Sequence, residues 1–257
     1  MLAGVAAGTI NTIVGSGTLV TFPTLLMVGL PPITANMSNN MGLIPGSITG
    51  TLGYRAEMVG AAKDLRRIVP AAFIGGLIGA LLVLVLDPAW FRSVVPVLIG
   101  FGILLVLFGK RLGAWASTRH AAHSPRRLRM LQASVGAAGV YGGYFGGAQG
   151  VILMGVFTAL TDHPLQRLNG YKNVCATTAN LVAAVVFVVF AGDRVDWGAA
   201  SLIAIGSVIG GVIGSTVGRR IPPEVLRAII VAVGTIAIIR LVFFPWVSPG
   251  AYWRSWV

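Results

Sequence analysis

Four asparagines and one lysine fall inside apolar stretches of the chain, at spacings that could form a binding site. Asn36 and Asn40 are four residues apart, and so are Asn169 and Asn173. Residues at this spacing share one face of an α-helix. Amides in hydrocarbon need hydrogen-bond partners, and a cation within a membrane segment usually marks a function. Lys172 lies about six residues inside its segment, so it either has such a role or extends its ammonium to the membrane surface. The pattern fits either hydrogen bonds between helices or a polar pocket for an anion.

Each asparagine pair follows a glycine-rich break in a long apolar segment. Residues 11–18 read Asn-Thr-Ile-Val-Gly-Ser-Gly-Thr, and residues 142–150 read Gly-Gly-Tyr-Phe-Gly-Gly-Ala-Gln-Gly. Glycine is a poor helix former, and irregular backbone at membrane depth must face protein or a wet cavity. We therefore predict that each break separates two half-helices. The N-terminal amides of a half-helix that begins near Gly17 or Gly150 would favour an anion.

Together these features predict one site that binds a small anion between the two breaks. The predicted substrate-binding residues are Asn11, Thr12, Ser16, Gly17, Asn36, Asn40, Gln149, Gly150, Asn169, Lys172 and Asn173. No Asp or Glu falls in the middle of an apolar segment, so a carboxylate proton relay and an acidic cation pore are not expected. The spans also lack a His-Glu metal motif, an acidic pair and an activated nucleophile, so we predict neither an enzyme nor a metal or cofactor site.

The elements that must position these residues follow from the composition. The chain has 257 residues, of which 56% are hydrophobic and 10% charged, whereas soluble domains carry about 25% charged residues. Its net charge is +12 and its mean hydropathy is +0.86. This combination excludes a disordered chain and a soluble nucleic-acid binder, and the single cysteine excludes a disulfide scaffold. We predict an all-α multi-pass protein of the cell membrane, with lipid and a small anion as its partners.

Eight apolar segments of about 20 residues or more suit helices that cross a hydrocarbon core of ~30 Å. Glycines four residues apart, at 42, 46 and 50 and at 206, 210, 214 and 218, predict close helix packing. The segments are 2–29, 33–53, 68–86, 90–108, 131–160, 166–191, 197–218 and 223–244.

The two halves of the chain resemble each other. Shifted by 133 residues, Pro31 and Asn36 meet Pro164 and Asn169, and a similar shift aligns the glycine-rich stretches 75–79 and 210–214. We infer two four-segment repeats, 1–108 and 131–257, joined by a basic, cytoplasmic linker over 109–130. Duplication of this kind is typical of secondary transporters, which hold substrate where the repeats meet.

Two membrane topologies are compatible with this pattern. If the first segment of each repeat crosses fully, segments 54–67, 109–130 and 192–196 share one side with the C-terminus, and basic residues divide 12 to 5. If it re-enters as a hairpin, 54–67 and 109–130 share a side with 161–167 and 219–227, and the division is 14 to 3. Cytoplasmic loops carry more Lys and Arg, which favours the hairpin. An odd number of full spans would then invert the second repeat.

The run from Gly4 to Leu26, Gly-x3-Gly-x2-Asn-Thr-x2-Gly-Ser-Gly-Thr-Leu-x2-Phe-Pro-x-Leu-Leu, resembles the start of the TauE/SafE family, also called the sulfite exporter family. The stretch 29–36, Gly-Leu-Pro-Pro-x2-Ala-Asn, and the glycine-rich third segment extend the similarity. The second repeat departs from the family pattern at Gln149. The resemblance implies a secondary transporter, most commonly an exporter, of small sulfur-containing or organic anions such as sulfite or sulfonates. An anion channel and an uptake permease are the alternatives, and the coupling ion and oligomeric state stay open.

Overall fold

The computed structural model describes residues 1–117, 125–216 and 223–243, and this part of the chain is helical without strands. The predicted all-α class is confirmed. Two short 3-10 turns, Ala56–Met58 and Gly192–Arg194, precede α4 and α9 respectively. The ten α-helices of the described part are α1 (Leu2–Ile13), α2 (Thr18–Met27), α3 (Pro32–Gly53), α4 (Ala62–Val85), α5 (Pro88–Ser117), α6 (Pro125–Tyr144), α7 (Gln149–Leu160), α8 (Leu165–Ala191), α9 (Trp197–Thr216) and α10 (Pro223–Phe243).

Four stretches in the described residues are long and apolar enough to cross a membrane: Ala62–Val85, Ala89–Phe108, Leu165–Arg194 and Trp197–Thr216. Large apolar side chains on them, such as Phe73 and Phe190, are exposed, as a lipid-facing surface requires. The protein is therefore a multi-pass membrane protein. In contrast, α1, α2 and α7 are apolar but only 10 to 12 residues long. At about 1.5 Å per residue, each reaches roughly halfway across the hydrocarbon.

The short helices adjoin two breaks in the chain. One break lies between α1 and α2, and the other lies between the longer α6 and α7. Gly15 (φ +82°) and Gly146 (φ +77°) end the helices before them in the left-handed conformation that glycine adopts easily. Their N–H groups donate to Ile10 O (3.1 Å) and Tyr141 O (3.0 Å) respectively. After the first break the chain turns back towards α1. Gly17 lies so close to α1 that a Cβ built on it would be only 2.4 Å from Ala7 O. The start of α2 therefore lies beside α1.

Glycine faces allow the long helices to pack backbone against backbone. On α4, a Cβ at Gly75 would lie 2.2 Å from Gly136 O of α6. On α9, a Cβ at Gly210 would lie 2.2 Å from Val5 O of α1. At glycines 42, 46, 50, 206 and 214 a Cβ would also lie within 2.4 to 2.8 Å of neighbouring residues, and at 42, 50 and 214 the nearest atom belongs to a side chain. This confirms the predicted packing role, except at residue 218, which lies outside the described residues.

Several helices extend beyond the predicted apolar segments. The predicted start of the third segment at residue 68 is wrong, because α4 begins at Ala62. The predicted linker 109–130 is helical at both ends, since α5 runs to Ser117 and α6 begins at Pro125. Residues 118–124 lie outside the described part. Lys, Arg, Leu and Ala are good helix formers, so a helix continues past the point where its apolar pattern stops.

Contacts between loops place three polar segments on the same side of the bundle. Arg127 at the start of α6 forms a salt bridge with Asp162 (3.2 Å). Arg167 donates to Val59 O (3.0 Å) in the loop before α4. Segment 161–167 therefore lies beside 54–67 and the end of the linker. This is the arrangement expected for re-entrant hairpins; full crossing would put 161–167 on the opposite side.

Candidate functional site

The two helix breaks cross each other inside the bundle. The Gly150 N–H donates to Gly15 O (2.9 Å), and a Cβ on Gly15 would lie 2.3 Å from Gly150 Cα. The other predicted anion-binding amide, Gly17 N–H, donates to Asn11 Oδ1 (3.4 Å). Both amides are thus engaged within the chain. An anion held at either half-helix N-terminus would have to replace one of these bonds.

Lys172 lies at the end of α1 and is fully buried. Its Nζ donates to Thr12 O (2.9 Å) and to Ile13 O (3.1 Å), the last two carbonyls of that helix. A helix C-terminus carries partial negative charge, so it stabilises the ammonium. The stem passes over Gly150, where a Cβ would lie 3.1 Å from Lys172 Cδ. Lys172 is therefore an interior cation, held by backbone from the opposite half of the chain.

A narrow polar cavity adjoins the crossing and the ammonium. Its free volume of about 10 Å³ is roughly what one water molecule needs. None of its lining side chains is acidic, and the ammonium is the only charge among them. The lining residues are Asn11, Thr12, Gly15, Ser47, Lys172, Asn173, Ala176 and Thr177. Four predicted site residues, Asn11, Thr12, Lys172 and Asn173, thus come together here.

Four side-chain atoms of the predicted set, one of them on the cavity residue Asn173, are buried without a hydrogen-bond partner in the described residues. They are Ser16 Oγ, Asn40 Oδ1, Gln149 Nε2 and Asn173 Nδ2. Leaving such an atom unsatisfied costs about 1–3 kcal/mol. Both members of the repeat-related pair Asn40 and Asn173 are among them. The region around the crossing can therefore offer hydrogen bonds to a polar ligand or to water.

The family model for the sulfite exporter TauE/SafE matches residues 1–241. The chain belongs to the TauE/SafE family. Both breaks, the cavity and Lys172 lie within the matched residues, so the family assignment covers the whole candidate site.

Curated relatives of this TauE/SafE chain are membrane transporters by name. "Probable membrane transporter protein YfcA" of Escherichia coli K12 is 27% identical over 237 residues, 92% of this chain and 86% of that protein. A "Probable membrane transporter protein" of Haemophilus influenzae is 28% identical over 212 residues, 80% of this chain and 79% of its own length. "Probable membrane transporter protein ORF9" of a Sinorhizobium species is 25% identical and covers 95% and 91% of the two chains. No solved structure matches the chain.

The remaining predicted residues of this TauE/SafE chain do not line the cavity. Asn36 donates to Tyr144 O (3.0 Å), the last carbonyl of α6, so it caps α6 much as Lys172 caps α1. For Asn36 the interpretation as a hydrogen bond between helices is correct. Asn169 is half-buried and does not line the cavity. The predicted site residues that do not line the cavity are Ser16, Gly17, Asn36, Asn40, Gln149, Gly150 and Asn169.

Sequence reasoning missed two polar side chains of the cavity, Ser47 and Thr177. Ser47 Oγ accepts a hydrogen bond from Asn11 Nδ2 (3.0 Å), and Thr177 Oγ1 donates to Ser47 O (3.3 Å). Thr177 lies four residues after Asn173, and Ser47 lies seven after Asn40. Extending each asparagine face by one or two helical turns would have found them.

Sequence reasoning also left out Asn39, which lies between the predicted pair Asn36 and Asn40. Asn39 Nδ2 donates to Thr18 Oγ1 (3.2 Å), and Asn39 Oδ1 accepts from Thr21 Oγ1. Both threonines lie in the first turn of α2. Asn39 therefore fixes α3 against the start of a half-helix and has a structural role.

A separate polar cluster lies where α8 begins. Asp64 accepts a hydrogen bond from the Tyr171 hydroxyl (2.8 Å) and pairs with His163 Nε2 (3.2 Å). The His163 ring packs edge-on against Tyr171, with centroids 5.5 Å apart, and the Arg167 guanidinium lies 6.0 Å from the Tyr171 ring centre. This cluster ties α8 to the start of α4, away from the cavity.

Proposed function

We propose that this protein is a secondary transporter that exports small sulfur-containing or organic anions, such as sulfite or sulfonates, by alternating access between two repeats. One observation carries the proposal. Two broken helices cross beside a buried cavity that is lined by amides, hydroxyls and one ammonium, with no acidic group. Broken helices that meet at mid-bundle are typical of substrate sites in secondary transporters.

The pattern of helix contacts supports the two-repeat architecture behind this mechanism. The pairing of α4 with α6 has its counterpart in α9 with α1. The pairs α4–α8 and α9–α3 correspond in the same way, as do α5–α7 and α10–α2. Such exchange of partners fits a pseudo-two-fold axis between α1–α5 and α6–α10. With re-entrant hairpins, each repeat has three full spans, and the second is inverted relative to the first.

The cavity chemistry supports an anion as the substrate. Lys172 supplies the positive charge, while Asn11, Asn173 and Thr177 supply neutral hydrogen-bonding groups. The present free volume of about 10 Å³ suits a water molecule but not a sulfonate. Binding therefore requires the helices around the cavity to separate, as rocking of one repeat against the other would do.

The family supports the substrate class. The TauE/SafE model is described as a sulfite exporter, and the names of the curated relatives specify a transporter without a substrate. Sulfite and sulfonates share a small, tetrahedral or pyramidal head with several oxygen acceptors. Such a head could accept bonds from the ammonium and the amides at once.

Counterflow in proteoliposomes tests the proposal. Vesicles with purified protein are preloaded with sulfite, ethanesulfonate, sulfoacetate, acetate or chloride, and entry of the labelled anion is measured. We expect saturable, preload-dependent entry of at least one sulfur-containing anion. An absence of counterflow across the panel by correctly folded protein would overturn the proposal. Single-channel conductance without counterflow would favour the anion channel, and uptake driven by physiological gradients would favour the uptake permease.

A further inference from the structure

Lys172 is isolated from other charges in the middle of the protein. The fully described helices α1, α2, α3 and α7 contain no ionisable side chain, and α1, α3 and α7 supply the ammonium's surroundings. On α8 itself the neighbours are Tyr171 and the buried Cys175. The Tyr171 hydroxyl is directed to Asp64 of α4, which also pairs with His163. No described carboxylate therefore reaches the ammonium.

The partners of the ammonium offset only part of the cost of its burial. A buried ion without an opposite charge is strongly destabilised, and the end of the α1 dipole contributes about half an elementary charge. An anion in the adjoining cavity would supply the missing charge. Anion binding and protonation of Lys172 must then strengthen each other, because linkage between two binding events is reciprocal.

The same geometry disfavours sodium as the coupling ion at this position. Carbonyls at the end of a broken helix coordinate Na⁺ in several transporter folds. Here Thr12 O and Ile13 O accept hydrogen bonds from Lys172 Nζ at 2.9 and 3.1 Å. The site that a sodium ion would use is filled by a cation that belongs to the chain.

From this juxtaposition of a lone buried ammonium, a helix C-terminus and a polar cavity, we propose that Lys172 is the proton-coupling site of the transporter. The inference rests on the proposed transport function and adds the coupling ion. The anion binds when Lys172 carries its proton, and both cross together as the repeats rock. After the anion leaves, the proton dissociates from Nζ, and the empty carrier returns with a neutral amine. One proton therefore accompanies each anion.

This stoichiometry has consequences for energetics. Transport of a monoanion with one proton moves no net charge, so the membrane potential does not drive it. A pH gradient that is acidic outside drives uptake and opposes export. Measuring the coupling thus also distinguishes an exporter, which must work against this gradient or at high internal anion concentration, from an uptake permease.

Ethanesulfonate is the probe for the test, because it stays ionised over the accessible pH range and contributes no titration of its own. Proteoliposomes containing the full chain are held at zero membrane potential with valinomycin and equal potassium. A gradient of one pH unit, acidic outside, should accumulate labelled ethanesulfonate about tenfold, since one proton across one pH unit corresponds to a tenfold ratio. A trapped pH dye should report proton entry at the same rate as anion entry.

The decisive variant is Lys172→Arg, because arginine keeps a positive charge but does not release its proton. We expect slower counterflow and no accumulation in the pH gradient. Lys63→Arg is the matched control, since Lys63 is exposed at the start of α4, and it should accumulate the anion as the wild type does. Tenfold accumulation by Lys172→Arg would overturn the assignment to Lys172.

The wild-type measurement stands without any variant. Counterflow of ethanesulfonate without proton entry, or accumulation that follows a sodium gradient instead, would overturn proton coupling and leave the transport function intact. Failure of wild-type protein to exchange any anion of the panel would overturn the proposed function, and the coupling with it.

Discussion

At the scale of single residues, similar asparagines have different roles in this protein. Asn39 makes two hydrogen bonds to the first turn of α2, and Asn36 caps the end of α6. Asn173 faces the cavity, and its Nδ2 has no partner in the described residues. The first two contribute to stability. The third is free to serve a ligand.

Two alanine substitutions separate these roles. Asn173→Ala should reduce anion counterflow several-fold and leave the thermal midpoint of the detergent-solubilised protein nearly unchanged. Asn39→Ala should lower that midpoint, because it leaves the Thr18 and Thr21 hydroxyls without their buried partner, at a cost of about 1–3 kcal/mol. Wild-type counterflow by a stable Asn173→Ala protein would remove Asn173 from the site.

At the scale of elements, the first break depends on a glycine at position 15. Gly15 combines a positive φ with a backbone contact to Gly150. Gly155, five residues further along α7, has nothing within 4 Å of where its Cβ would be. The two positions therefore differ in packing although both are glycines in apolar sequence.

We predict that Gly15→Ala prevents stable assembly, whereas Gly155→Ala is tolerated. At Gly15 the left-handed conformation alone costs an alanine about 1–2 kcal/mol, and its methyl group would lie 2.3 Å from Gly150 Cα. Gly155→Ala should be neutral or slightly stabilising, because alanine is the better helix former. Size-exclusion profiles and thermal midpoints in detergent check both. A Gly15→Ala protein as stable as the wild type would contradict the crossing.

The contact between α9 and α3 provides a second element-scale test. Ser207 Oγ donates to Gly42 O (2.7 Å) and accepts from Gly46 N–H (3.2 Å), on either side of Pro45 within α3. Proline removes one backbone donor and disturbs the helix around it. The Ser207 hydroxyl forms hydrogen bonds with the backbone groups of Gly42 and Gly46 beside that proline. Ser207 therefore satisfies backbone hydrogen-bonding groups of α3 at the turn that contains Pro45.

Ser207→Ala should lower the free energy of unfolding by about 1–3 kcal/mol, because it leaves a buried N–H unpaired. Ser201→Ala on the exposed face of the same helix is the matched control and should change little. Thermal melts of the two proteins, side by side in one detergent, make the comparison. Equal midpoints would show that Ser207 does not stabilise the α3–α9 contact.

At the scale of the whole molecule, contacts between loops support one of the two membrane topologies. Segments 54–67 and 161–167 are joined by Asp64–His163 and Arg167–Val59 contacts. On the opposite side, the Asp196 N–H near the start of α9 donates to Ser38 Oγ near the start of α3 (2.8 Å). This distribution is the one expected if α1–α2 and α6–α7 re-enter.

Single cysteines test this topology in whole cells. In a Cys175→Ala background, Lys63→Cys and Arg194→Cys should lie on opposite sides of the membrane, so a membrane-impermeant maleimide should label only one, Arg194→Cys, from outside. Labelling of both only after permeabilisation, or of both from outside, would place them on one side and favour full crossing of the first segment of each repeat.

The local features of this protein could be predicted from its amino-acid sequence. Apolar stretches with few charges predict membrane helices, and clustered glycines indicate where the helices break. The motif around Gly15 indicates the TauE/SafE family. The sequence also predicted that Asn11, Thr12, Lys172 and Asn173 are site residues, which the structure gathers around one cavity. The helices and their breaks could be predicted because helix propensity, hydrophobicity and same-face spacing act over a few neighbouring residues, whereas the substrate-binding role of the four residues stays a prediction.

Which polar groups form hydrogen bonds and which have no partner in the described residues became visible in the three-dimensional packing of the helices. The Gly150 amide bonds Gly15, and Lys172 bonds the end of α1 across 160 residues of sequence. Asn36 and Asn40 look equivalent by spacing, yet the first caps a helix and the second keeps an unpartnered oxygen. The contacts between segments 54–67 and 161–167 join residues that are equally distant in sequence. Such contacts depend on how whole helices pack, and residue spacing within one helix carries no information about the neighbour that a side chain will meet.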